Sequence, residues 1–318
     1  MKEKTVNPFK YTDSNKRYYT YDYYLRQKYN SKVCKVTLDA GFTCPNIDGT
    51  KGVGGCIYCS SRGSGDFAAS AALSVREQYD QVVLAQRQKW PDAKCIAYFQ
   101  AHTNTYAPLE VLKEKFEAAL ELPDVVGLNI ATRADCISDE CAKYLHELAK
   151  RCELCVELGL QSTNDQTAGI INRCHTYEEF LRGYEKLYGI DTCIHIINGL
   201  PGEEYEDMMQ TVRDVAALHP KFLKIHLMHV LKNTRLGDMY ESGNYTPLEL
   251  EEYVKIVCDQ LEILPPDVVI GRITGDGAPD QLLAPFWSRK KFVVMNEIDK
   301  ELVRRGTCQG AFVQTVQK

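Results

Sequence analysis

Three cysteines stand close together in the stretch TCPNIDGTKGVGGCIYCS, residues 43–60, with the spacing Cys44-x11-Cys56-x2-Cys59. The same stretch holds four glycines and almost no bulky apolar side chain. Packing alone cannot hold such a loop, and its thiols are the obvious handles. Glycines let a backbone wrap closely and turn its amide N–H groups toward an anionic sulfur cluster. Two metal readings compete. Structural zinc takes four closed ligands, usually from two Cys-x-x-Cys-like pairs, and no fourth thiol is near in sequence. A four-iron cluster on three thiolates keeps one iron without a protein ligand, where chemistry can occur. The residues favour the cluster, with zinc and inert thiols as the alternatives. A second pair, Cys152 and Cys155 in CELC, reads as buried thiols, with a redox pair or second cluster as the alternative.

The elements that must position these thiols emerge from the hydrophobic pattern. From residue 33 short β-branched runs alternate with longer amphipathic stretches. VCKVTL, KCIAYFQ, VVGLNIA, LCVELGL, TCIHIING and FLKIHLMHV read as six strands, and DVVIGRI as a short seventh. Helices between them open at Ser74, Pro108, Ser138, the Thr176/Glu179 capping box, about Tyr205, and Thr246-Pro247. Apolar strands joined by helical crossovers make a parallel sheet buried on both faces, either an open doubly wound sheet or a curled partial barrel. In both, function gathers at the C-terminal strand ends, where DAGFTCPN, QAHTNTY, TRADC, QSTND, GLPGE and MHVLKNTRL fall. Residues 1–32 form an aromatic and basic N-terminal extension, 33–275 the barrel, and 276–318 a C-terminal extension expected to close it.

The 318 residues are 44% hydrophobic and 25% charged, an ordinary globular composition. No apolar run reaches the roughly 20 residues needed to cross a bilayer, and the N-terminus lacks a signal-peptide core. The expectation is a cytoplasmic protein with no membrane contact. Thirteen cysteines in a reducing compartment point to metal or catalysis. Cys34, Cys95, Cys193 and Cys258 sit in apolar segments as small hydrophobes. A net charge of −5 argues against a chain coated in basic charge for nucleic acid, while leaving room for local patches. Three stand out: residues 16–29, SRKKF around Arg289, and VRRG around Arg304. The tyrosines of the first read more readily as a helix packing on the barrel than as a base-stacking platform.

At Cys56-Ile57-Tyr58-Cys59 the chain resembles the radical S-adenosylmethionine (SAM) superfamily. VELGLQS (156–162), INRCHT (171–176) and NGLPGE (198–203) are similar to the Elongator catalytic subunit and to oxygen-independent coproporphyrinogen oxidase. TLDAGFTCPNIDG resembles the small bacterial YhcC/YtqA-type branch. Two features depart from the superfamily pattern. The first two cysteines are more widely spaced, and the turn after the second strand reads Gln100-Ala101-His102-Thr103 in place of a glycine-rich run. The length also leaves no room for an acetyltransferase domain.

The resemblance implies an α/β partial parallel (βα)6 TIM-like barrel of the radical SAM type. It implies a [4Fe-4S] cluster on Cys44, Cys56 and Cys59, and reductive cleavage of SAM to a deoxyadenosyl radical. Tyr58 would pack near the adenine or the cluster edge. Arg173 would pair with the SAM carboxylate, because arginine forks onto carboxylates. Glu157 and Gln161, four apart on one strand, would both face the SAM ribose and methionine. Gln100 and Thr103 would meet the SAM amino group, and Gly199 and Gly202 would admit the adenosine. Glu157 inside an apolar strand is otherwise costly. His226 is a candidate for a substrate or proton role. His229, three residues on, cannot share its face on a regular strand.

For the substrate, the resemblance points to the anticodon loop of tRNA and its wobble uridine, with carboxymethylaminomethyl-uridine converted to aminomethyl-uridine. Hydrogen abstraction beside amine and carboxylate, loss of a second electron and hydrolysis of the imine would release glyoxylate. Lys232 and Arg272 would clamp the carboxylate. Lys16, Arg17, Arg26 and Lys28, with Tyr18 and Tyr24, would touch RNA. An electron donor such as flavodoxin or ferredoxin is implied, and a downstream methyltransferase is a further partner. The loop Lys232 to Tyr240, with Arg272, Asp276 and Trp287, would close the barrel's open side. A small, porphyrin-like substrate and a non-catalytic iron–sulfur or zinc scaffold are the alternatives.

Overall fold

The computed structural model describes residues 7–63, 65, 68–275, 277 and 280–313; Asp276 lies outside them. The elements run α1 (Tyr21–Tyr29), β1 (Val33–Leu38), α2 (Val75–Lys89), β2 (Lys94–Phe99), α3 (Leu109–Leu120), β3 (Val125–Thr132), α4 (Asp139–Ala149) and β4 (Glu153–Gln161). They continue with α5 (Asp165–Ile170), α6 (Tyr177–Glu185), β5 (Asp191–Asn198), α7 (Tyr205–Leu218), β6 (Phe222–Leu227), β7 (Val230–Leu231) and α8 (Arg235–Glu241). The chain ends in α9 (Leu250–Ile263), β8 (Val269–Arg272), β9 (Leu282–Ala284) and α10 (Lys291–Arg305). The strand order β1-β2-β3-β4-β5-β6-β8 makes a seven-stranded sheet, so the short run at Val269 is a full member rather than an addition to six. No helix among the described residues is long and apolar enough to cross a membrane.

The chain forms two compact units, which divide within β5. One holds Leu25–Leu160 and Ala168–Cys193. Here β1 to β4 pair in parallel, with Leu38 beside Phe99, Phe99 beside Ile130 and Ile130 beside Val156. All four side chains are fully buried, and Phe99 meets Phe116 of α3 at 5.2 Å between ring centroids. Side chains alternate across a strand, so this apolar set takes the helix-covered face. Lys35, Tyr98, Asn129 and Glu157 take the other. Each fully buried Leu, Ile or Phe contributes roughly 1.5–3 kcal/mol. The capping box expected at Thr176/Glu179 forms, Ser74 caps α2 as expected and does so in a box with Glu77, and Ser138 caps α4.

The other unit holds the chain up to Tyr24, Gln161–Thr167 and everything from Ile194. Here β6 pairs in parallel with β8. The N-terminal segment covers the free side of β8: the Ile270 amide donates to the Tyr19 carbonyl at 2.7 Å. Arg17 is buried and donates to the Thr307 carbonyl at 3.1 Å. Gln309 fastens Pro265 and Val268 at 2.7 and 2.8 Å. An exposed edge strand invites pairing with other chains, and this strap removes it.

Several of the residues expected to touch RNA are engaged within the protein. Tyr18 is buried, Lys16 pairs with Asp299, and Tyr24 packs edge-on against Phe222. In the first unit Lys28 pairs with Glu153. Two other expectations also change. The loop from Lys232 contains α8, capped by Thr234, and the helix expected from Thr246 starts after Glu249.

Candidate active site

The cysteine loop leaves the C-terminal end of β1 and is fastened to the segment after α5. The Ile57 amide donates to the Ile171 carbonyl at 3.1 Å. Buried Asn46 donates to the carbonyls of Asn172 and Arg173 at 2.7 and 3.0 Å, and reaches the Cys56 sulfur at 3.5 Å. Asn172 and Cys174 adopt positive φ of 56° and 59°, which brings this turn against the loop. A Cβ on Gly52 would stand 2.6 Å from the Cys174 sulfur, so a larger residue there would push that side chain aside.

Cys44, Cys56 and Cys59 are free thiols, half-buried. A hydrogen bond with Cys59 pulls the Cys56 thiol down to about 7 against burial, helped by Arg133, Asn46 and Tyr58. Tyr58 is pushed well up by burial and by the charges of Cys56 and Cys59, so it stays a neutral donor. A fourth thiol, distant in sequence, is close in space: Cys136 interacts electrostatically with Cys44. Burial, Asp135 and Cys44 push it up to about 12.

Beside these thiols sits a charged group that the sequence reading did not single out. Arg133, 8% exposed, forks onto Asp135 through Nε at 3.0 Å and Nη2 at 2.9 Å. Its Nη1 donates to the Arg173 carbonyl at 2.8 Å. Burial would raise Asp135, but Arg133, His175 and Lys51 outweigh it and hold the carboxyl down at about 2. Burial and the cations Arg173 and Arg133 push His175 down to about 3, with Asp135 opposing them. The ring is thus neutral. Its Nδ1 accepts from Arg133 Nη2 at 3.1 Å, which leaves the proton on Nε2. That buried Nε2 has no hydrogen-bond partner among the described residues.

This donor set fits a [4Fe-4S] cluster. Three free thiols share one loop, one is drawn toward thiolate, and Arg133 carries positive charge beside Cys44 and Cys56. Arg173 is 1% exposed, with Nε on the His175 carbonyl at 3.0 Å and Nη1 on the Leu160 carbonyl. Both of these bonds tie backbone segments together. The Gln100 amide extends the strand ladder to the Leu38 carbonyl, and the Thr103 amide ties to the Thr43 carbonyl at the entry to the loop.

Deeper on the same unit, Glu157 is surrounded by donors. Lys35 Nζ and Asn129 Nδ2 reach Oε1 at 2.7 and 2.6 Å, and the Tyr98 hydroxyl reaches Oε2 at 2.9 Å. The costly buried carboxylate is thereby compensated. Cys155 is buried on the same strand, and burial pushes its thiol well up. Cys152 bonds the Leu148 carbonyl.

In the other unit Gln161 ends β4 with φ +64°. Gly199 and Gly202 both have φ +84°, and the Tyr245 hydroxyl donates to the Gly199 carbonyl at 2.6 Å. Lys224 and Arg272 are register partners on β6 and β8. His226 lies two residues along from Lys224, and its ring is 5.3 Å from that of His195. Burial, His195, Arg272, Lys224 and His229 all push His226 well below its ordinary range. Contrary to expectation, His226 and His229 do come together. A Cβ on Gly275 would lie 3.7 Å from one ring and 3.1 Å from the other. The reason is that β6 ends at Leu227, so strand alternation no longer separates them. Lys232 is apart from this group, exposed, with Nζ on the Asp280 carbonyl at 2.9 Å.

The same strand logic that exposed Glu157 applies to Lys35, Asn129 and Lys224, each polar inside an apolar run. Arg133 and Asp135 lay in TRADC, a mouth segment whose members were indistinguishable without contacts.

The Radical SAM superfamily profile matches residues 49–215, and the Radical_SAM C-terminal domain matches residues 220–304. The chain belongs to the radical SAM superfamily, whose members use a [4Fe-4S] cluster and SAM. It is similar to YtqA of Bacillus subtilis, 49% identical over 314 residues that cover 98% of each chain. A tRNA uridine(34) acetyltransferase of Methanocaldococcus jannaschii is 28% identical over 156 residues, 48% of this chain and 28% of that protein. Among solved structures, the archaeal Elp3 of Methanocaldococcus infernus has a TM-score of 0.65 at 18% identity, covering 88% of this chain and 64% of that one. The fold is therefore the partial parallel α/β barrel of radical SAM enzymes.

Proposed function

We propose that this radical SAM enzyme acts on the wobble uridine of tRNA, removing the carboxymethyl part of a carboxymethylaminomethyl group. The observation that carries the reading is the convergence of His195, Lys224, His226 and Arg272 on strands β5, β6 and β8 of one unit. Such a group of cations and imidazoles suits a substrate carboxylate, since arginine and lysine hold carboxylates by charge-assisted bonds. Lys224, the register partner of Arg272, suits the clamp role expected of Lys232. The likeness to a tRNA uridine(34) acetyltransferase over half the chain supports uridine as the base. A loop base can be splayed out at a cost of at most a few kcal/mol.

When bound, the cluster and SAM supply a radical that takes a hydrogen atom from the substrate. Cys44, Cys56 and Cys59 hold the cluster, and Arg133 balances its charge. Glu157, held by Lys35, Tyr98 and Asn129, keeps one wall of the barrel polar and ordered. Neutral His226 adds no positive charge to the group and can take part in hydrogen bonds to the substrate. Nucleoside mass spectrometry of tRNA from a deletion strain tests the proposal. Carboxymethylaminomethyl-uridine should accumulate while the aminomethyl and methylaminomethyl forms disappear. An unchanged profile would refute the reading and favour a small-molecule substrate.

A further inference from the structure

The stretch AlaProPheTrpSerArgLysLysPhe at residues 284–292 is basic in an acidic chain. Arg289, Lys290 and Lys291 follow one another, and no Asp or Glu occurs from Gln281 to Met295, although the whole protein carries a net charge of −5. In the structure the aromatic residues of this stretch point outward. Phe286, in the short 3-10 turn Phe286–Arg289, is 61% exposed, and Phe292 in the first turn of α10 is 78% exposed. The Arg289 guanidinium lies over the Phe286 ring, 5.0 Å from its centroid. Lys290 is exposed between them. Trp287, by contrast, faces the Tyr253 ring and donates to the Leu248 carbonyl at 3.2 Å, anchoring the turn.

Two exposed phenyl rings thus stand among three cations. Their chemistry matches single-stranded nucleic acid: bases stack on exposed aromatic faces, arginine adds cation–π contacts, and lysines meet phosphates. We infer that the Phe286–Phe292 surface docks a single-stranded segment of the substrate tRNA, giving local affinity to a protein whose overall charge repels RNA. The inference rests on the tRNA reading above and moves the RNA contact away from the N-terminal segment, where Lys16 pairs with Asp299 and Arg17 is buried.

The test titrates reconstituted enzyme with bulk tRNA from the deletion strain over a salt series. F286A/F292A should weaken binding by about tenfold or more, because each stacked base contributes roughly 1–3 kcal/mol. F286W/F292W should restore it. K290E should lower the slope of log affinity against log salt by about 0.7–0.9, the value of one phosphate contact. F312A serves as control, since Phe312 is 62% exposed and lies outside this cluster; it should bind as wild type. Circular dichroism and cluster absorbance confirm that each variant is folded and loaded. If F286A/F292A binds within about twofold of wild type, the inference is overturned, as it would be if the patch served a protein partner. Should wild type bind no tRNA, the inference falls too. The nucleoside profile separates the two failures: a changed profile with patch-independent binding removes only this surface.

Discussion

Glu157 offers the sharpest test of the interior. Its side chain is fully buried, Lys35 is 23% exposed, and their charged atoms stand 2.7 Å apart. Removing one partner of a buried pair costs about 3–5 kcal/mol. Partial exposure of Lys35 lets water take up some of that, so Glu157→Ala should cost about 2–4 kcal/mol. Glu157→Gln should cost less. Its amide oxygen can still accept from Lys35 and Asn129, and its NH2 can donate to Tyr98 once that hydroxyl turns. The loss is then the charge alone, about 1–2 kcal/mol. Adding Lys35→Met removes the stranded ammonium and places a flexible apolar chain against the Tyr98 ring, where Lys35 Nζ now sits 4.7 Å from the centroid. The double variant should recover part of the loss, with a coupling of about 1–3 kcal/mol. Urea unfolding followed by far-UV circular dichroism measures wild type, both Glu157 variants, Lys35→Met alone and Glu157→Ala combined with Lys35→Met at equal cluster loading, since a bound group adds its own stability. If the two single losses add within about 0.5 kcal/mol, the pair is not coupled and the account of Glu157 is wrong.

Further outcomes follow from the same geometry. Replacing Cys44, Cys56 or Cys59 with Ala should bleach the cluster absorbance and abolish deoxyadenosine formation from SAM, whereas Cys136→Ala should retain both. Asp135, with its carboxyl held at about 2 against roughly 3.9 when unfolded, contributes stability above about pH 4 that is lost as pH falls toward 2. Urea midpoints over that pH range should show Asp135→Asn with a flatter acid dependence and a loss of about 2 kcal/mol at neutral pH. Gly183→Ala improves helix propensity by about 1 kcal/mol, yet its Cβ would lie 2.1 Å from the Ala134 carbonyl oxygen. A net lowering of the melting temperature is expected, and a rise would show that the contact yields freely.

The strands were legible because each is a short apolar run with a fixed alternation, and the first matched to the residue. Caps were legible wherever a side chain, as at Ser74, Ser138 and Thr176, closes its own helix. The helices α8 and α10 were not read, for physical reasons. The seven residues of α8 are too few for a periodic signal, and α10 begins without a side-chain cap on the last of three consecutive basic residues. In the candidate site, the cysteines could be found because their spacing is local. Arg133, Asp135 and His175 could not, because their meeting depends on the turns after β3 and α5 folding against one another.

The same distinction between local and spatial information governs charge. A net charge of −5 averages over acidic helices whose carboxylates are largely committed: Glu301 forks with Arg304 and Arg305, and Asp259 holds Lys255 and Arg305. Each such pair is already cancelled in that count, so the net charge says how much remains and not where it stands, and in physiological salt each charge is screened beyond about 8–10 Å. What an approaching RNA meets is set by groups near the point of contact. Along the chain beside Phe286 and Phe292 those groups are Arg289, Lys290 and Lys291, so an acidic protein can carry a basic docking segment, and the salt dependence of binding should report that segment rather than the whole chain.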